Sequence, residues 1–120
     1  MKDNILLSKT YNFALRIINL YKYLINEKKE YVLSKQLLRS GTSIGANSEE
    51  AIGGCSEKDF LSKLSIAYKE ARETKYWIRL LRDSNYLESR FAESILIDGE
   101  EICRIIGKIQ STMKKKIRNL

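Results

Sequence analysis

Four cations stand in a row at Arg72, Lys75, Arg79 and Arg82, spaced i, i+3, i+7 and i+10. At about 100° per residue they fall within roughly one quadrant of a helix and make a basic ridge. Such a ridge suits phosphate contact, and Tyr68 and Tyr76 lie close enough to offer stacking or hydrogen bonds to an RNA strand. A second cationic group, Lys114, Lys115, Lys116 and Arg118, sits near the C-terminal end. It would neutralise phosphates at long range, with an attraction that weakens as salt rises. Each group also has a plainer reading. The ridge serves equally as a solvated face bordering the core, or pairs with acids of another helix or protomer. The tail serves as a frayed helix end whose charge complements the helix dipole.

Other chemistries find little footing. Glu49-Glu50, and Glu70 with Glu73, offer carboxylates to a metal, but the chain has no histidine and many arginines at hand, so no metal is expected. The absence of histidine also removes the usual general base, the His-containing triads and the Glu-x-x-His motif of di-iron bundles. Ser40, Thr42 and Ser43 are read as small residues that allow close helix packing. Gly41-x-x-x-Gly45 is no phosphate loop, for no lysine-serine pair follows it and no strand precedes it. Cys55 and Cys103 have no CxxC partner, which excludes a zinc site, argues against a disulfide framework and fits a reducing cytoplasm. The expectation is a non-enzyme with no catalytic residue and no cofactor. A net charge of +7 favours polyanionic partners, either nucleic acid or an acidic protein face.

These groups need elements to hold them. The chain of 120 residues has no proline, so long helices are permitted nearly everywhere. Apolar runs are far shorter than the about 20 residues a membrane span requires, and neither a span nor a signal peptide is expected. The first segment, about residues 8–28, places Tyr11, Ala14, Ile17, Ile18, Tyr21, Leu24 and Ile25 on one apolar face. After a charged turn, Leu33, Leu37, Ile44 and Ala51 keep helical spacing through a stretch of small and polar residues. A loop competes there, because each glycine costs a helix about 1 kcal/mol against alanine. Helix is preferred, ending at Gly53-Gly54.

Ser56 then reads as an N-cap with acids behind it. The third segment carries Phe60, Leu64, Ala67, Ala71, Thr74, Ile78 and Leu81 at heptad-like spacing. Asp83-Ser84-Asn85 supplies a turn. The last segment, about residues 87–118, puts Phe91, Ile95, Ile102, Ile106, Ile109 and Met113 on one face, with acids in its first half and bases in its second. Four amphipathic segments joined by short turns predict an all-α, up-down antiparallel four-helix bundle, a single domain over residues 1–120. Trp77, the tyrosines and the small-residue surface predict self-association.

The second segment, Leu37-Leu38-Arg39-Ser40-Gly41-Thr42-Ser43-Ile44-Gly45-Ala46-Asn47 followed by Glu50-Ala51, resembles the signature of the bacterial intervening-sequence proteins, encoded within insertions in large-subunit ribosomal RNA genes and also elsewhere. The similarity extends over nearly the whole chain, including Phe13-Ala14 with Leu20-Tyr21, Lys63-Leu64-Ser65-Ile66-Ala67 and Lys69-Glu70-Ala71-Arg72-Glu73-Thr74. Ser48-Glu49 departs from the family's apolar or small residues after the asparagine. The resemblance implies a four-helix bundle, commonly a ring-shaped homopentamer, and a distant relation to the accessory protein of diversity-generating retroelements, whose accepted role is binding nucleic acid and reverse transcriptase. It also places Arg39, Glu50, Glu70 and Glu73 in the best-matched segments, implying an interhelix polar set that fixes register. A cytoplasmic homo-oligomer engaging RNA, or a scaffold engaging a protein partner, is the resulting expectation.

Overall fold

Ser56 starts a helix as its chemistry requires: its Oγ accepts a hydrogen bond from the Asp59 amide at 3.0 Å, satisfying one of the orphan donors of the first turn. The computed structural model describes residues 2–54 and 56–119, with side chains from residue 5 onward, so Cys55 lies outside the described residues. Four helices follow one another: α1 (Lys2–Asn26), α2 (Leu33–Ile52), α3 (Glu57–Asp83) and α4 (Ser89–Arg118). Their cross-helix partners run in opposite numerical directions. Gly41 lies under Ile17 and Gly45 beside Thr10. Ser40 meets Thr74 while Glu50 meets Lys63. Lys75 meets Glu100 while Ser65 meets Gln110, and Lys9 meets Glu101 while Arg16 meets Asp98. Every adjacent pair is therefore antiparallel. The helices close in the cycle α1–α2–α3–α4, with no approach across either diagonal among the described residues. The result is an up-down four-helix bundle about one helix long, 53 × 23 × 21 Å.

The stripe expected on α3 is buried from Leu64 to Leu81, with Phe60 packed at its edge. Helix also prevails over loop in α2. Ser40, Gly41, Ile44, Gly45 and Ser48 are all buried there, and the hydroxyls find partners within α2 or on α3. Ser48 Oγ donates to the Ile44 carbonyl at 2.8 Å, and Thr74 Oγ1 lies 2.9 Å from Ser40 Oγ. Small side chains bring α1 and α3 close, and that packing offsets the poor helix propensity of the stretch. Ser48-Glu49 disturbs nothing at the interface, since Ser48 is buried and Glu49 faces solvent.

Two faces differ from the sequence reading. In α1 the buried stripe is Leu6, Thr10, Phe13, Ile17, Leu20 and Leu24, whereas Tyr11 is 64% exposed. The stripe begins earlier than expected because a polar residue belongs to it: Thr10 Oγ1 donates to the Leu6 carbonyl at 2.9 Å and so enters the core satisfied. In α4, Ala92 takes the inward position and Phe91 is 46% exposed, turned toward α1. The α1–α2 turn contains a device that spacing does not announce. The buried Glu30 carboxylate accepts from the amides of Val32, Leu33 and Ser34 at 2.7–3.1 Å and caps α2 from outside it. Among the described residues, no helix is long and apolar enough to cross a membrane.

Candidate nucleic-acid interface

The ridge lies on the side of α3 that borders α4, and its four cations fare differently. Arg72 is exposed, and among the described residues no carboxylate lies within ion-pair distance of it. Arg79 is also exposed and stacks its guanidinium 6.0 Å from the Tyr76 ring centroid. Lys75 is held by Glu100 at 2.5 Å, and Arg82 by its own neighbour Asp83 at 2.8 Å. Two of the four cations are thus paired with acids and two are solvated. These pairings hold the Glu100 and Asp83 carboxyls below the usual carboxylate range, through their hydrogen bonds to Lys75 and Arg82 respectively.

Across the groove, α4 extends the basic surface with Arg104, a residue that reading α3 alone does not bring in. Its turn-by-turn position opposite Arg72 follows from the antiparallel register set by Lys75–Glu100 on one side and the 3.1 Å hydrogen bond from Gln110 Nε2 to Ser65 Oγ on the other. Counting along that register would have found it. Between these two bridges Gly107 leaves open space, with no atom within 4 Å of where a Cβ would stand. A shallow hollow of about 390 Å³ follows, lined by Gly107, Gln110, Ser111, Lys114, Lys115 and Arg118. The tail cations Lys114, Lys115 and Arg118 thus gather on α4 itself, beyond the Gln110–Ser65 bridge. Lys116 differs, reaching back to Glu57 at 3.5 Å.

The interhelix polar set divides in two. Arg39 of α2 spans Glu70 at 3.0 Å and Glu73, and Trp77 Nε1 donates to the same Glu73 carboxylate at 3.0 Å. Glu50 is not part of this cluster; it pairs with Lys63 at 2.9 Å, nearer the other end of the α2–α3 interface. With Glu70 and Glu73 turned to Arg39, no group of three metal-binding side chains forms among the described residues. Thr42 Oγ1 donates to the Leu38 carbonyl at 2.7 Å, and Ser43 Oγ accepts from Asn47 at 2.9 Å. Burial pushes the Cys103 thiol up, away from the reactive thiolate.

A second surface runs along the seam of α1 and α4, the least closely packed of the four adjacent pairs of helices. Two ion pairs, Lys9–Glu101 at 3.2 Å and Arg16–Asp98 at 2.6 Å, bridge its middle. Both ends are mainly apolar, with Lys108 and Thr112 at the rim of one and Asn19 and Glu88 at the rim of the other. Ile5, Ile105, Ile109 and Met113 line a hollow of about 430 Å³ at one end, and Tyr23, Leu87 and Phe91 line one of about 300 Å³ at the other.

An all-α bundle with a cationic groove on one side and an open, apolar seam on another defines a helical protein with two distinct surfaces. The sequence profile of the 23S rRNA-intervening sequence proteins matches residues 2–108, and the chain belongs to that family. It is similar to a protein of unknown function from the S23 ribosomal protein family of Bacteroides thetaiotaomicron VPI-5482, known from a crystal structure. The identity is 52% and the TM-score 0.91, over 92% of this chain and 99% of that one. Comparison with curated proteins finds no match.

Proposed function

We propose that this chain is a non-enzymatic, homo-oligomeric binding module of the cytoplasm that engages RNA, alone or in an RNA–protein complex, through the α3–α4 groove. The observation that carries the reading is a run of exposed cations, Arg72, Arg79, Arg104, Lys114, Lys115 and Arg118, with no carboxylate at ion-pair distance among the described residues. Arg39, Lys63 and Lys75 are answered by acids. These six are not, and what sets them apart from the equally unpaired lysines of α1 and its turn is that they gather on α3 and α4. So gathered, they are free to release counterions on meeting phosphates. The seam supplies the self-association: exposed Ile5, Tyr23 and Phe91 are apolar surface that a second copy would cover. Five copies in a ring is the arrangement the family resemblance favours.

Two charge-matched variants test the groove. In one, Arg72, Arg79, Arg104 and Lys114 become glutamine; in the other, Lys22, Lys28, Lys29 and Lys35 do, so each loses the same charge. Binding of a labelled, mixed-sequence single-stranded RNA is then followed against salt. The groove variant should bind more weakly, its log–log salt slope flatter by about 0.7 for each phosphate that the protein no longer neutralises. The second variant should stay near the parent protein. Equal binding by both, with assembly intact, would remove RNA from the groove and leave a self-assembling scaffold with a protein partner.

A further inference from the structure

The Lys75–Glu100 pair bridges α3 and α4 within the basic surface and is asymmetric. The lysine side chain is 23% exposed and the carboxylate side chain 52%. The lysine is the fixed member. Its stem crosses α4 where Gly99 has no side chain, so that a Cβ there would lie 3.3 Å from Lys75 Cγ. The glutamate is the loose member, a long side chain on the solvent side of the pair. Arg104 and Arg72 both act on its charge through space, so Glu100 is one carboxylate among three cations. Such an arrangement has the form of a phosphate position filled by a carboxylate.

Resting on the RNA reading above, we propose that Lys75, Arg72 and Arg104 form a phosphate-binding position which Glu100 occupies in the free protein, and that an RNA backbone phosphate enters by displacing this internal carboxylate. No bond is made or broken; Lys75 exchanges one anionic partner for another, and Glu100 rotates into water. An exposed ion pair is worth little, so the exchange costs little. A phosphate in the carboxylate's place keeps the Lys75 bond and, being larger and more highly charged, draws in the Arg72 and Arg104 guanidiniums, which lie beyond ion-pair distance of Glu100. Glu100 thereby sets a threshold: weak anions do not enter, and a phosphate presented by a polyanion already engaged along the groove does.

The test uses the full chain, the same single-stranded RNA and three variants. Glu100→Gln frees Lys75 and should bind roughly three- to tenfold tighter, with a salt slope steeper by about 0.7. Glu49→Gln removes the same charge from an exposed site on α2 and should bind as the parent does. Glu100→Gln with Lys75→Gln should lose the gain. Melting curves at neutral pH monitor folding, which the loss of a surface pair should lower slightly in stability without disrupting. If Glu100→Gln and Glu49→Gln bind alike while the four-cation groove variant is still weakened, Glu100 guards no phosphate and the RNA reading survives. If the groove variant binds like the parent, both fall. Polyglutamate of matched charge that gains as much as RNA from Glu100→Gln would assign the position to acidic peptides and overturn the proposal.

Discussion

Two glycines four residues apart on α2 carry opposite expectations. A Cβ on Gly41 would stand 2.7 Å from Ile17 Cγ2, inside the packed α1–α2 interface. A Cβ on Gly45 would meet Thr10 at an ordinary 3.5 Å. Gly41→Ala should therefore destabilise by about 1–3 kcal/mol through overpacking. Gly45→Ala should be neutral or stabilise by up to about 1 kcal/mol, as helix propensity gains what glycine loses. Urea denaturation of the two variants checks this, and a similar loss in both would show that the interface tolerates no methyl anywhere. The sequence makes the pair legible as close packing but not the difference between them. Both face a β-branched side chain, Ile17 or Thr10, and how closely each is approached depends on the docking of α1, set by residues far away in the chain. Glu30 was illegible for a related reason: it caps α2 from four residues before Ser34, outside the usual N-cap position, in a stretch that reads as a charged turn.

The helices themselves were legible where large apolar residues frame the stripe, as Leu64, Ile78 and Leu81 do around Ala67, Ala71 and Thr74 in α3. They were misphased where an aromatic residue stands beside a polar or small core position. Thr10 in α1 and Ala92 with Gly99 in α4 are such positions, and each moved the inferred face toward an aromatic residue that solvent covers. The ridge was legible as a pattern, since one helix suffices to align it. Its neutralisation was not, because Glu100 comes from α4 and only the antiparallel register brings it to Lys75. That cross-helix pair has a pH signature. The folded Glu100 carboxyl is held below its ordinary value of 4.5, so its contribution is complete above that pH, where both folded and unfolded chains are ionised. It declines as pH falls below 4.5 and is gone beneath the folded value, once the carboxyl is protonated in both states. The difference in melting temperature between the parent protein and Glu100→Gln should accordingly shrink on acidification through this range. A difference that grew on acidification would contradict the ion pair.

For the molecule as a whole, four amphipathic stretches and short turns sufficed to foretell an antiparallel bundle, because few other topologies bury four such faces. They do not reveal that the cycle closes unevenly, for looseness between α1 and α4 is a property of the assembled core. The open seam leads to an assembly prediction. Ile5→Glu with Phe91→Glu alters residues already exposed in one chain, so the helices should form normally while association through the seam is lost. Light scattering should then report a particle near 13.9 kDa, against a multiple of it for the parent. A parent that is itself a 13.9 kDa particle at micromolar concentration would remove the seam as an interface.

The uneven closure also has a kinetic meaning. The α2–α3 hairpin is the most extensively packed pair and joins helices adjacent in the chain, whereas α1 and α4 meet across the longest sequence separation and pack the least. Loop-closure entropy delays such remote pairings, so the central hairpin forms early and the meeting of the chain's two ends comes last. The same edge opens first in the native state, and hydrogen exchange will be fastest along it. A second copy settling on this edge would capture the chain as it finishes folding, which makes the rate of maturation depend on concentration.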